Sequence, residues 1–386
     1  MTEYRAEHVG SLLRPPELLS ARALHGSGRL TAERLRAAED RAVLAALDLQ
    51  REAGLQVFTD GEFRRENFMA SIMETIGGLV EVDRETSFQP DWHRDPDGRD
   101  DSDGPDGRPA PPPAEETDLP AVAVGERLYR KVAQSTVEAT FLAAHSPGQF
   151  KITMASPTMG AQLWGPGVTD RAYASRGDML DDFVRLQVQD VQILVDTGVT
   201  WIQLDSLAYI PYVDERQRAE SLARGVDVDA RLDQLIEIDN ALARAAKERD
   251  PGVVVGMHFC RGNNRSAWTA AGGYEPIAER LFGGLCVDRL LLEFDTERAG
   301  GFEPLRFVPP GRTVVLGLVS SKTPALEPAD VLKRRIDEAA KQLPLDQLAL
   351  SPQCGFASTA RGNLLTIDDQ RRKLELVADT ACAVWG

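Results

Sequence analysis

Residues 253–260 read VVVGMHFC, and the pattern repeats along the chain. It is a short, β-rich, near-continuous apolar run, and at several of the repeats the run ends in side chains that can bind a metal or move a proton. Seven further runs have this form: AEHVGS (6–11), LQVFTDGE (55–62), QFKITMASP (149–157), VTWIQLDS (199–206), LLLEFD (290–295), TVVLGLVS (313–320) and LALSPQCG (348–355). Near-continuous apolar runs are expected of parallel strands covered by helices. The stretches between them are amphipathic. Leu180, Phe183, Val184, Val188, Val191, Leu194 and Val195 follow the helical period up to Gly198, and Ala42, Val43, Ala46 and Leu47 do so before Gly54. Pro328 suits a first helical turn, and Thr366 with Asp369 forms a capping-box pattern. Eight strands alternating with helices predict an α/β fold, a (β/α)8 TIM barrel built as one domain over residues 1–386. The alternative is a doubly wound open sheet, but neither GxGxxG nor GxxxxGK[ST] occurs.

One stretch breaks the pattern. Residues 91–120 hold ten acidic residues against three arginines, a net of −7 in a chain of −16. With almost nothing to bury, it predicts a mobile acidic Pro/Gly-rich insert. The flanks GGLVEVDR and AVAVGERLYR alternate as the arms of a hairpin would. The overall charge argues against nucleic acid, which needs a basic face, and against anionic lipid. No apolar run approaches the ~18 residues of a membrane span, and the start shows no secretory pattern. Four cysteines are too few for a disulfide scaffold. The expectation is a cytoplasmic protein with free thiols available to a metal.

Catalytic groups of a barrel lie at the C-terminal ends of its strands. His8 and Ser11 end the first run, Asp60 and Glu62 the second, Asp205 the fourth, His258 and Cys260 the fifth, Glu293 and Asp295 the sixth, and Cys354 the eighth. His258 and Cys260, two apart on a strand, share a face. With Cys354 and Glu293 they form a set suited to tetrahedral Zn2+. The plain alternative is a buried histidine with two inert core cysteines. Two thiolates and a carboxylate leave the metal site near −1, which favours holding a thiol as its thiolate over activating a carbonyl. Cys286 and Cys382 read as ordinary thiols.

These residues lie in motifs that resemble a family. HVGSLLRP, TDGEFRRENF, WIQLDS, HFCRGNNRS, LLLEFDTERAGGFEPLR, LGLVSSK and SPQCGFAS resemble the catalytic C-terminal half of cobalamin-independent methionine synthases, in particular the short, single-barrel YxjG-like branch. The resemblance implies an S-methyltransferase of methionine biosynthesis that binds zinc through His258, Cys260, Glu293 and Cys354. It implies homocysteine as the small-molecule thiol, its carboxylate at Ser11 and its ammonium at Glu62 and Asp205. The methyl donor would be a methyl-tetrahydrofolate or another small methyl carrier, with Trp164 of SPTMGAQLWGPG stacking on it. Arg261 and Arg265 either hold an anionic group or pair with the neighbours of Glu293.

The long synthases carry a second barrel that helps to bind folate, and a histidine after the seventh strand that protonates the leaving group. Here that stretch is LVSSKTPALE, with Ser320, Ser321 and Lys322. An amine leaving group needs an acid. His8, the other histidine at a strand end, is the candidate catalytic residue, the alternative being a structural hydrogen bond. Ser206 and Leu207 replace the family's Glu-Pro. DWHRDP begins like the corrinoid motif DxHxxG but lacks its glycine, so cobalamin is not expected as an integral cofactor. The epoxyalkane–coenzyme M transferases share the zinc–thiol plan and offer an alternative thiol, although a sulfonate thiol has no ammonium for Glu62 and Asp205.

Overall fold

The structure is a computed structural model that describes residues 4–83, 90–93 and 121–386. Its strands are Val57–Phe58 (β1), Ile76–Glu81 (β2), Val122–Arg130 (β3), Gln149–Phe150 (β4), Ile152–Ala155 (β5), Trp201–Ser206 (β6), Val254–Phe259 (β7), Arg289–Glu293 (β8), Thr313–Val319 (β9) and Leu348–Pro352 (β10). Six of them form a parallel sheet in the order β10-β9-β8-β7-β6-β5. The sheet curls shut through shorter contacts. β1 pairs with β4 in parallel, and Ala6 bridges to Leu350 on β10. Leu12 N–H donates to the Gly61 carbonyl between the first and second strand positions. The result is a (β/α)8 barrel with one large apolar cluster, a second that includes Ile76, Val124 and Ala155, and a small third of Val9, Leu291, Val315 and Ala349.

The first two expected strands are much shorter than their apolar runs. Side chains take the backbone groups that a ladder would use. The carbonyls of His8, Val9 and Gly10 accept from Lys151 Nζ, Gln203 Nε2 and Thr59 Oγ1, at 2.6, 2.6 and 2.8 Å. Gln50 bonds both the N–H and the carbonyl of Thr59, each at 2.9 Å. Buried backbone groups must be paired, but side chains serve as well as strands.

The helices follow the sequence. Ala32–Glu52 begins at a Thr31 cap, and Arg176–Asp196 at a Ser175 cap. The last helix, Ile367–Trp385, opens with the expected capping box of Thr366 and Asp369. Pro328 sits just before Ala329–Ala339, as the N-cap. β2 and β3 pair antiparallel as the arms of the expected hairpin. No helix among the described residues is long and apolar enough to cross a membrane.

The expected insert needs correction at its N-terminal end; residues 94–120 lie outside the described residues. Trp92 is buried, and His93 exchanges backbone hydrogen bonds of 2.7 and 2.8 Å with Trp268. Residues 90–93 therefore belong to the folded barrel.

The barrel interior holds charge. Glu7, fully buried, accepts from Lys151 Nζ at 3.0 Å and Arg289 Nε at 2.6 Å. Burial pushes its carboxyl up, but Arg289 and Lys151 hold it below the ordinary range. This contribution to stability is present at neutral pH and is lost as acid protonates Glu7. Glu7→Ala should cost about 3–5 kcal/mol, because it strands two buried cations. Denaturant titration at pH 7 measures this, and a loss under about 1 kcal/mol would contradict it.

Candidate active site

The strand ends converge on a cavity of about 610 Å3, with Ser11, Glu62, Asp205, His258, Cys260 and Cys354 on its inner wall. Adjacent strands set the pairing. Asp205 on β6 lies directly across from His258 on β7. Cys260 follows β7, Glu293 ends β8 and Cys354 follows β10.

Ligand atoms of His258, Cys260, Glu293 and Cys354 all lie within 4.8 Å of one another, and all four residues are buried. The two sulfurs are 3.5 Å apart, and both cysteines are free. Two thiolates on one tetrahedral zinc, each at about 2.3 Å, would stand about 3.8 Å apart, close to what is seen. Glu293 Oε1 accepts from the Arg261 N–H at 2.7 Å. Its Oε2 and both ring nitrogens of His258 are buried without a hydrogen-bond partner among the described residues. A buried unsatisfied polar group costs about 1–3 kcal/mol, and a cation held by the four residues would satisfy Glu293 Oε2 and one His258 nitrogen.

The cluster's electrostatics fit the same conclusion. The contact between the two sulfurs holds the Cys354 thiol well below its ordinary range and drives Cys260 well above, with burial adding to the rise of Cys260. Burial alone would lower His258, but the Cys354, Asp205 and Glu293 charges beside it bring it to about 8. Burial, with Glu62 and Cys354 nearby, raises Asp205 to about 7. Anionic groups thus crowd a space that a metal and an ammonium would neutralise.

Glu62 occupies its place through a strained turn. Its φ is +59°, a left-handed conformation rare outside glycine. Asp60 Oδ1 holds the Glu62 N–H at 2.9 Å, and Thr153 Oγ1 donates to Glu62 Oε1 at 2.9 Å. Arg14 then ties three loops together, donating to the carbonyls of Glu62, Arg65, Ala357 and Thr359. Neither Arg64 nor Arg261 pairs with the Glu62 or Asp205 side chain. Arg64 pairs with Glu39 and Asp40. Asp205 Oδ1 accepts from Gln203 at 2.8 Å. Ser11 lies against Cys354–Ala357, its Oγ accepting from Ala357 N–H at 3.3 Å.

Arg261 is a supporting residue. It donates to the carbonyls of Gly272 and Glu293 and stacks on Tyr274 with 4.4 Å to the ring centre. It braces the end of β8 that carries Glu293 and does not line the cavity. Lys322 is likewise committed, donating to the Gly262 and Ala267 carbonyls and Asn263 Oδ1.

The structure sets His8 apart from the other expected residues. Its Nε2 meets Gln50 Oε1 at 2.9 Å on the outer helix, and it does not line the cavity. Burial, with Lys151 adding to it, lowers the ring to about 3. It is therefore neutral at physiological pH and faces away from any substrate. The expectation of His8 as the acid is corrected to the structural hydrogen bond.

The outer part of the cavity is lined by Trp164, Leu207, Ile210, Tyr212 and Leu235, with Trp92 and Phe68 opposite. Trp92 was hidden by its acidic surroundings; one large aromatic in a stretch otherwise without apolar anchors was the available signal.

Gly10, at φ +154°, keeps this packing possible. A Cβ there would lie 2.8 Å from Glu62 Oε1 and 2.7 Å from Thr153 Cγ2. Gly10→Ala should cost about 1–3 kcal/mol by displacing Glu62. A melting temperature equal to that of the wild type would refute the tight approach.

Residues 170–367 match the family model described as the catalytic domain of cobalamin-independent synthase. The uncharacterised Bacillus subtilis proteins YxjG and YxjH are 36% and 34% identical, each match covering 99% of this chain and 95% of theirs. A candidate vitamin B12-independent methionine synthase from Listeria monocytogenes superposes with a TM-score of 0.69 at 27% identity, over 99% of this chain and 98% of its own. With the same barrel, the same length and a matching catalytic-domain model, this chain belongs to the cobalamin-independent methionine synthase family.

Proposed function

We propose that the protein is a zinc-dependent S-methyltransferase that activates homocysteine as a thiolate and methylates it to methionine. The observation that carries this reading is the union, in one cavity, of the His258, Cys260, Glu293 and Cys354 group with the carboxylates of Glu62 and Asp205. Zinc, when bound, supplies deprotonation of the incoming thiol, whose free pKa near ~8.5 leaves it mostly protonated at pH 7. The remaining work is done by the chain. Glu62 and Asp205 receive the ammonium, which relieves the repulsion between them. Ser11 and the backbone around it receive the carboxylate. The Trp164 ring and the apolar wall beside it receive a methyl-tetrahydrofolate or another small methyl carrier and keep water from the thiolate. Two carboxylates facing the substrate oppose a sulfonate thiol, which places the coenzyme M type of substrate second.

One zinc per chain is expected by elemental analysis, with Cys354→Ser losing most of it. Wild-type protein that stays zinc-free after growth and purification with zinc would remove the metal from this reading.

Selectivity for an amino-acid thiol is tested separately. Asp205→Asn should weaken homocysteine by about 1.5–3 kcal/mol, the worth of a hydrogen bond to a charged group. Mercaptopropionate, which has no amino group, should bind the variant and the wild type alike, and zinc should stay. Calorimetric titration of both thiols decides. Equal weakening of both, or mercaptopropionate binding the wild type as tightly as homocysteine, would favour the other thiol class.

A further inference from the structure

A buried carboxyl stands behind the cavity wall. Asp239 is fully buried midway along the helix Val228–Arg249, within the stripe of Leu232, Leu235, Ile236, Leu242 and Ala243. An apolar residue would fill that place at lower cost. Asp239 Oδ1 accepts from Ser156 Oγ, and Oδ2 accepts from the Tyr209 hydroxyl at 2.7 Å. Ser156 Oγ lies 2.5 Å from Thr158 Oγ1, which lies 3.0 Å from Ser206 Oγ. Thr158 lines the cavity, whereas Asp239 and Ser156 do not. A chain of hydroxyls thus joins the buried carboxyl to Thr158, a residue of the cavity wall. Burial raises Asp239 to about 7, and Ser156 and Tyr209, the other groups acting on it, pull it down. Both its protonated and ionised forms exist near neutral pH.

The chemistry leaves a place for such a group. A methyl carried on a tertiary amine leaves with the C–N electron pair going to nitrogen, which needs a proton as it departs. Other acids of the cavity have other partners. Glu62 and Asp205 face the ammonium, and the cysteines and His258 face the metal. Asp91 and Glu220 at the rim pair with Arg216 at 3.4 and 3.1 Å.

We infer that Asp239, acting through Ser156 and Thr158, supplies the proton to the leaving group of an N-methyl donor. The inference rests on the methyl-transfer reading above. The sulfur lone pair forms the S–C bond as the C–N bond breaks. Thr158 gives its hydroxyl proton to the nitrogen, takes one from Ser156, and Ser156 takes the one on Asp239 Oδ1. The Tyr209 hydroxyl stays on Oδ2 and steadies the carboxylate that results. The proton released by the homocysteine thiol equals the one gained by the amine, so reloading Asp239 consumes no net acid.

Asp239→Asn and Thr158→Val test this in the zinc-loaded enzyme with homocysteine and two methyl donors. Methyl-tetrahydrofolate has an amine leaving group; methyl iodide releases iodide, which needs no proton. Each variant should lower kcat with methyl-tetrahydrofolate, relative to the rate with methyl iodide, by about 100-fold or more. The double variant should fall no further than the worse single one. The wild-type rate with methyl-tetrahydrofolate should decline as pH rises through about 7, where Asp239 loses its proton, and Asp239→Asn should lack that limb. Equal loss with both donors, no loss with methyl-tetrahydrofolate, or an unchanged alkaline limb in Asp239→Asn would overturn the relay. So would a wild type that uses methyl iodide but not methyl-tetrahydrofolate. Failure of the wild type to speed alkylation of homocysteine by methyl iodide would instead count against thiol activation itself. Thr158→Val carries the test if Asp239→Asn does not fold.

Discussion

Two sulfurs, 94 residues apart in sequence and 3.5 Å apart in space, set the terms for the rest of the molecule. Cys260 and Cys354 meet only because β7, β8, β9 and β10 stand side by side in parallel register, so that their ends open on the same space. With Glu293 they gather acids that burial penalises and that repel one another once ionised, beside the imidazole of His258. Such a cluster does not arrange itself. It is imposed by strands that cannot shift, because a slip of one residue would turn each side chain to the opposite face. The burial of the barrel's apolar clusters offsets the cost.

The same constraint explains why charge runs through the barrel interior. Asp205, beside His258, is held by Gln203, whose side-chain oxygen accepts from Lys151 at 2.7 Å. Lys151 pairs with Glu7, and Glu7 with Arg289. This line of partners fixes the Asp205 carboxyl in one orientation and also replaces the ladder bonds that the first strand lacks. A positioned carboxylate and a broken ladder are two results of one packing solution. Removing any member exposes the cost of the others, because each buried charge depends on its neighbour.

The barrel and most of the inner cavity were readable in the sequence because both rest on local rules. Strand runs end where chemistry begins, residues two apart share a face, and caps mark the helices. The pairing of β2 with β3 was readable for the same reason. What failed turned on tertiary direction. His8 ends an apolar run as Asp205 does, yet its ring points outward to Gln50 and the Asp205 side chain inward to the cavity. Nothing in AEHVGS records which way a nearly unpaired strand will face, since its backbone is held by side chains from elsewhere. Compositional reading failed at Trp92 because an average over 30 residues conceals one anchored aromatic.

Asp239 shows how such information can still be present in a sequence without being recognised. Four residues on either side of it, Leu235 and Ala243 mark the buried face of the helix. A carboxylate at that position violates the helical pattern, and among the described residues its partners are two hydroxyls and no base. A surface helix would place a charge on its outer face at no cost. Breaking the pattern inside a barrel is costly, and here the cost is offset by two hydroxyls that approach from loops after β5 and β6, Ser156 and Tyr209. Those loops also bound the substrate space. A residue inconsistent with its own helix is therefore bonded to the loops at the strand ends where the chemistry collects.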